Sequence, residues 1–324
     1  MRGAVAGLSV PDRSPALIVF VAGAVLVGVL TATQSRVNSE LSERLGDGYL
    51  AAIISFGSGL LILLIVLAVW APGRTGARRL IGAVRSGATP WWYLGGGVAG
   101  GAFVLAQGLS AAALGVALFT IAVVSGQTAS GLVVDRLGLG TMAATAITVT
   151  RLAGSILALI AVGWAMSAQF SADTEFWVVL LPLLAGIGLG WQQAANGQVR
   201  VVAGSAMTAT LMNFVAGTLV LILAGAVHLA FAEWPSSLPA APWLYSGGLI
   251  GVLFIGLAII VVKHTGVLLL GLGAVAGQLI ASLTLDVVVP VAGHPIARTT
   301  VLGTALTLVA VGIATIPSRP IARR

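Results

Sequence analysis

The stretch Gly126-Gln-Thr-Ala-Ser-Gly-Leu-Val-Val-Asp135 returns later in the chain as Gly277-Gln-Leu-Ile-Ala-Ser-Leu-Thr-Leu-Asp286. Gly126, Gln127 and Asp135 fall on Gly277, Gln278 and Asp286 at one shift of 151 residues (277 minus 126), which also carries Gly100, Phe103 and Gly115 onto Gly251, Phe254 and Gly266. Nearer the start, a shift of 158 (186 minus 28) carries Gly28, Gln34, Asn38, Gly46, Phe56 and Gly59 onto Gly186, Gln192, Asn196, Gly204, Phe214 and Gly217. Shared apolar residues would mean little in so hydrophobic a chain. Shared Gln, Asn and Asp at fixed shifts are hard to obtain by chance, and they mark an internal duplication.

The composition says what is duplicated. Of the 324 residues, 58% are hydrophobic and only 8% charged, with a mean hydropathy of +1.08. A soluble domain needs about 25% charged residues to solvate its surface, so this chain belongs in lipid. A hydrocarbon core about 30 Å thick takes roughly 20 apolar residues of helix. Segments that qualify run near 16–36, 49–71, 91–112, 115–135, 150–167, 176–197, 206–231, 243–262, 266–287 and 299–316. Runs of this length in lipid must bond their backbone internally, which makes them helices. The first run could pass for a signal peptide, but its repeat counterpart deep in the chain argues against cleavage.

The predicted fold is therefore an all-α integral membrane protein of ten transmembrane helices in two five-helix repeats: residues 1–167, a connector at 168–175, and residues 176–324. Five is odd, so the second repeat enters the membrane from the opposite side and is inverted. The charges agree. Arg74, Arg78, Arg79 and Arg85 follow the second span with no acid among them, while the corresponding loop after the seventh span, around Glu233 to Ala241, has no Lys or Arg. Arg2, Arg13, Arg136, Arg200, Lys263, Arg319, Arg323 and Arg324 join the first group on one side if both termini are cytoplasmic. Only Arg36, Arg44 and Arg298 fall clearly on the other, where the connector, with Asp173 and Glu175, is extracytoplasmic. The formal charge of +7 is read as this bias, with no nucleic-acid partner implied.

Gln34-Ser-Arg-Val-Asn38, Phe56-Gly-Ser-Gly59, Val124 to Asp135 and Arg151-Leu-Ala-Gly154, with Asn196, Asn213-Phe-Val-Ala-Gly217 and Gly277 to Asp286 in the second half, resemble the YdcZ-type (DUF606) branch of the drug/metabolite transporter (DMT) superfamily in its fused two-copy form. The resemblance covers nearly the whole chain. It implies a DMT/EamA-like bundle in the bacterial cytoplasmic (plasma) membrane, with a cavity between the halves and alternating access across it. Arg298 precedes Gly303 by five residues where Arg151 precedes Gly154 by three, so the tenth span need not begin as the fifth does.

Amide side chains in hydrocarbon are costly and face a bundle interior or a wet cavity. Gln34, Gln107, Ser125, Gln127, Gln192 and Gln278 are the candidate substrate-binding residues. Helix-to-helix hydrogen bonding, worth about 0.6 kcal/mol per contact, is the competing reading for each. Gln127 and Gln278 lean toward substrate, since both sit near mid-helix, follow a glycine and are related by the repeat. Asn38 and Asn196, with Asn213, are candidate gate residues near opposite faces. Asp135 and Asp286 close their helices near the interface and are expected in structural ion pairs, Asp135 with Arg136 or Arg151 and Asp286 with Arg298. A proton relay, which would be expected nearer the midplane, is the alternative. Aromatics Trp91, Trp92, Tyr93, Trp243 and Tyr245 open the third and eighth spans, as an interfacial belt does.

Enzyme chemistry finds no support. His228, His264 and His294 have no ligand spacing for a metal, Ser58 has no base marked to activate it, and Gly95 to Gly100 lacks the strand and Lys-Ser of a phosphate loop. No metal, cofactor or catalytic residue is expected. The expected function is a transporter of a small polar metabolite, neutral or zwitterionic, with the lipid bilayer and that solute as partners and the chain working as a monomer or homodimer. The alternative is a non-transporting membrane scaffold or accessory subunit.

Overall fold

A computed structural model describes residues 15–139, 148–166, 176–235, 237–289 and 297–316. Among them the chain is helical: α1 (Pro15–Leu45), α2 (Gly48–Val69), α3 (Ala71–Arg85), α4 (Gly96–Leu114), α5 (Val116–Leu137), α6 (Val149–Met166), α7 (Phe176–Ala203), α8 (Ala206–Leu229), α9 (Gly247–Val288) and α10 (Arg298–Thr315). Six helices are long and apolar enough to cross a membrane, within α1, α2, α4 with its entry turn, α5, α7 and α8. Shorter apolar helices occupy Val149–Ala165, Pro242–Ala258, Gly273–Val288 and Arg298–Ile313, where the other four spans were expected. The connector at 168–175 lies outside the described residues.

The duplication is built into the turns. Gly46 ends α1 with φ +67° and Gly204 ends α7 with φ +60°, left-handed positions that glycine takes without a Cβ clash. The next residue caps the following helix in both places. Asp47 Oδ1 accepts from Tyr49 N at 2.8 Å and Leu50 N at 3.1 Å, and Ser205 Oγ accepts from Thr208 N at 3.2 Å. Short 3-10 turns at Trp91–Gly95 and Pro242–Ser246, 151 residues apart, then lead into α4 and α9. Lipid-type surfaces repeat too: Leu61, Ile65 and Val69 of α2 and Leu219, Leu223 and Val227 of α8 are exposed, one outward stripe on each helix.

Packing between the repeats is reciprocal. On α1 against α9, a side chain at Gly28 would strike Ala274 O and Gln278 N; on α7 against α5, a side chain at Gly186 would strike Val123 O and Gln127 N. These are the same contacts carried through both shifts. Gly277 against Val25 O and Gly126 against Leu183 O repeat the pattern. Such backbone approach is what small residues at membrane-helix crossings permit.

Two expectations change. The eighth and ninth spans, expected as separate helices, are joined without an intervening loop in the helical stretch α9. Yet its two apolar parts, Pro242–Ala258 and Gly273–Val288, run past α1 in opposite directions: Gly247 and Gly251 meet Asn38 and Gln34, whereas Gly273 and Gly277 meet Ala24 and Val25 and Ala274 meets Gly28. The first half breaks at Gly115, whose φ is +77°. Its counterpart Gly266 continues in helix, as an isolated glycine is able to. The basic stretch after α2, read as a loop, is the 15-residue helix α3. Gly73, Gly76 and Leu80 form its buried face, a three-and-four spacing that short basic segments easily hide.

The charge exceptions are also resolved in part. Arg36 and Arg44 both meet Glu40, at 3.3 and 2.9 Å, so two of the three arginines against the bias share one carboxylate. Arg44 further lies over the Trp243 ring at 5.6 Å, a cation–π contact.

Candidate functional site

Two polar clusters sit at the starts of α9 and α4, and each is made largely by the opposite half. At α9, Gln34 Nε2 donates to Gly247 O at 2.8 Å. Asn38 Nδ2 donates to Gln107 Oε1 at 2.6 Å, and Gln107 Nε2 donates on to Ser35 Oγ at 2.8 Å. Asn38 Oδ1 and Ser55 Oγ crowd Gly247, where even a Cβ would collide with both. Gln34, Ser35, Asn38, Ser55 and Gln107 are all buried.

At α4, Asn213 Oδ1 accepts from Gln192 Nε2 at 2.6 Å and from Asn196 Nδ2 at 3.1 Å. A Cβ at Gly97 would collide with Asn213 O, and one at Gly100 would lie 2.5 Å from Gln192 Nε2. The repeat relates the two clusters residue by residue. Gln34, Asn38 and Ser55 correspond to Gln192, Asn196 and Asn213, while Gly247, Gly248 and Gly251 correspond to Gly96, Gly97 and Gly100. Gln107 and Gly100 share α4 seven residues apart, so the clusters are separated by about 10 Å along that helix.

Two substitutions break the symmetry. Position 213 is Asn but its counterpart is Ser55, and Gln107 has Ala258 as its counterpart. The α4 cluster closes on Asn213. The α9 cluster lacks that amide, its Asn38 turns instead to Gln107, and Asn38 Oδ1 and Ser55 Oγ are left buried without a hydrogen-bond partner. Unpaired buried polar atoms cost about 1–3 kcal/mol each, and a native protein rarely keeps them without a reason.

Six of the sequence-predicted residues thus fall in these clusters: Gln34, Asn38, Gln107, Gln192, Asn196 and Asn213. The other candidates lie elsewhere. Ser125 Oγ is buried and donates to Ala158 O of α6 at 3.0 Å, a helix-to-helix bond. Gln127 is half-buried and Gln278 is buried, at the α5–α7 and α1–α9 crossings respectively. Gln278 Nε2 has no partner. Ser55 was missed by sequence reasoning, although the 158-residue shift places it opposite Asn213.

Asp286 corrects one expectation. Among the described residues its carboxylate does not meet Arg298. Oδ1 accepts from Val116 N at 3.1 Å and Oδ2 from Ala117 N at 2.7 Å. Gly115 has just ended α4, so α5 begins with exposed amides that need an acceptor. A carboxylate there meets both the free N–H groups and the positive end of the helix dipole. Arg298 opens α10, and the carboxylate is already occupied. The side chain of Asp135 lies outside the described residues, and Arg151 stands in the first turn of α6.

A third junction joins the halves away from the amide clusters. His228 Nε2 lies 3.2 Å from Asp47 Oδ2, and the imidazole stacks on Tyr49 with ring centroids 4.3 Å apart. The end of α8 is thereby fixed to the cap of α2.

Comparison with known proteins places this architecture. No curated protein sequence matches the chain. One solved crystal structure covers 93% of this chain and 97% of its own, at 17% identity and a TM-score of 0.55, a likeness of fold alone. The family model DMT_YdcZ, described as "Putative inner membrane exporter, YdcZ", matches twice, over residues 19–164 and 177–313. The starts of the two matches are 158 residues apart (177 minus 19), the shift read from the polar residues. Apolar helices, a duplicated build and two matches over most of the length lead to one conclusion: the chain belongs to the YdcZ family of the DMT proteins, in its fused two-copy form, and is a multi-pass inner-membrane protein.

Proposed function

We propose that the protein carries a small polar solute, neutral or zwitterionic, across the inner membrane by alternating access between two inverted halves, residues 1–167 and 176–324. The observation that carries this reading is the pair of repeat-related amide clusters, one closed on itself and one with open polar atoms. In an inverted repeat the two clusters lie toward opposite faces of the membrane. Exchange of their states, one opening as the other closes, is an access change that needs no new parts. Asn38, Asn196 and Asn213 act as the gates in this reading, and Gln34, Gln107 and Gln192 line the path between them. Gln278, with its unpaired Nε2, is the added polar contact; Gln127 is its repeat counterpart.

Amides and hydroxyls with no buried acid in either cluster favour a solute without net charge, because an ion would need a compensating partner in so apolar a setting. Both termini are cytoplasmic in this reading, from the arginine bias, and α9 supplies two spans. A cysteine introduced at Ser171 should label from the extracytoplasmic side; labelling from the cytoplasmic side alone would overturn the orientation.

The test of function is thermal stabilisation of the purified protein against a panel of metabolites and drugs, followed by counterflow of each hit in proteoliposomes. A solute at one hundred times its dissociation constant adds about 2.7 kcal/mol. The expected result is a stabilising polar solute that exchanges across the vesicle, with both effects lost in Asn38→Ala and Asn196→Ala while the fold is retained. Counterflow undiminished in both variants would remove the gates. A stabilising solute that shows no counterflow would favour the scaffold reading.

A further inference from the structure

We propose that helix α3 is a surface-bound anchor that takes the headgroups of anionic phospholipids. Its sequence, Ala71-Pro-Gly-Arg-Thr-Gly-Ala-Arg-Arg-Leu-Ile-Gly-Ala-Val-Arg85, holds four arginines and no acid. One face is already committed to the protein. Thr208 Oγ1 donates to Gly73 O at 3.3 Å, a Cβ at Gly76 would lie 2.7 Å from Ser205 Cβ, and Leu80 packs with Val199, Ala203 and Ala209. That docking fixes which way the rest of the helix looks.

At 100° per residue, Arg74, Arg78 and Arg85 fall within about 40° of one another, roughly 150° from the docked line of Gly73, Gly76 and Leu80. All four arginines are exposed. Arg74 Nη1 donates to Ala68 O at 2.6 Å and so closes the end of α2. The guanidinium of Arg79 faces Gly204 at the turn after α7. Arg78 and Arg85 make no hydrogen bond or ion pair among the described residues. Two planar, always-charged donors one face apart from the protein suit phosphate oxygens.

Lipid, rather than a soluble anion, is the occupant because the arginines stand beside apolar surface. Ile81 lies on the arc between the docked line and the arginines, Trp70 stands at the junction of α2 and α3, and both are exposed, at 51% and 45%. Trp91 and Trp92, just after the helix, are exposed as well. Behind Trp70, the outward stripe of α2 runs straight into the hydrocarbon region. Aromatic rings at headgroup level, an apolar edge below and a basic edge above are the marks of a helix lying in the membrane interface. The proposal rests on the orientation proposed above, in which α3 lies on the cytoplasmic side, where the membrane surface carries its negative potential. The proposal does not depend on what the protein transports.

Native mass spectrometry of the full chain with phosphatidylglycerol and phosphatidylcholine of matched acyl chains tests it. The wild type should retain phosphatidylglycerol in preference, and Arg78→Gln with Arg85→Gln should weaken that binding on the order of 30-fold, about fivefold per arginine. Arg78→Lys with Arg85→Lys should keep most of it, and Arg200→Gln should keep all of it. Equal retention of the two lipids by the wild type, or an unchanged preference in the double Gln variant, would overturn the proposal. So would displacement of phosphatidylglycerol by inorganic phosphate at the same concentration, since that outcome makes the site one for a soluble anion. Should the Gln variant fail to fold, a Lys variant that folds yet loses the preference overturns it equally.

Discussion

Phe56 and Phe214, counterparts in the repeat, pack directly on each other with ring centroids 4.8 Å apart and planes tilted by 33°. Each ring also covers the other half's glycine, Phe56 over Gly217 and Phe214 over Gly59. A residue touching its own counterpart marks the line about which the two halves exchange. The contact is tight by construction: a Cβ on either glycine would run into the facing ring. Gly59→Ala and Gly217→Ala should each destabilise the fold by about 1–3 kcal/mol through overpacking, and by similar amounts. Thermal unfolding in detergent measures both, with Gly57→Ala, which meets open space, as the neutral comparison.

The two amide clusters should respond differently to loss of their corresponding residues. Asn213→Ala strands Gln192 Nε2 and Asn196 Nδ2, both half-buried, at a total cost of about 1–3 kcal/mol. Ser55→Ala removes a buried hydroxyl that has no partner and should cost no stability, raising it by up to about 1–3 kcal/mol as the unpaired oxygen is lost. Parallel unfolding of the two variants checks the contrast. Equal losses would show that the clusters are not asymmetric in the way described.

Asp286 should behave as a cap. Asp286→Ala removes both acceptors from the start of α5 and should cost about 0.5–2 kcal/mol. Asp286→Asn retains one acceptor oxygen and should recover part of that loss, whereas Arg298→Gln should be near neutral. A large effect of Arg298→Gln, matched by Asp286→Asn, would restore the ion pair expected from sequence.

Gly115→Ala is predicted to be more harmful than Gly266→Ala. Gly115 has φ +77° and its Cβ would sit 3.1 Å from Asp286 Oδ2, so both backbone and cap are strained; substitutions at such positions exceed the usual 0.4–1 kcal/mol glycine effect. Gly266 is assigned to helix, where alanine brings no left-handed strain and has the higher propensity. Protease resistance of the two variants in micelles distinguishes them.

The repeat was legible in the sequence because Gln, Asn, Asp and Gly stand out against an apolar background, and the shifts they gave are the ones the turns and caps obey. Which residues meet was not legible. Fixed shifts give correspondence but not handedness, and the contacts of Gly28 with Ala274 and of Gly186 with Val123 exist only once the halves interlock. Ser55 escaped notice because a lone hydroxyl in an apolar helix usually bonds its own backbone, as Ser110 and Thr128 do here. Asp286 was given the wrong partner since charge suggested Arg298, while the decisive signal was Gly115, a helix break that creates free amides far away in sequence. Helix α3 was hidden by its charge.

The mismatch of Ser55 with Asn213, and of Gln107 with Ala258, bears on why two copies are joined. In a pair of identical chains each substitution appears twice, so any gain at one cluster imposes the same change at the other. A single gene holding both copies is free of that constraint. Each cluster becomes separately heritable, and selection on one no longer drags the other along with it.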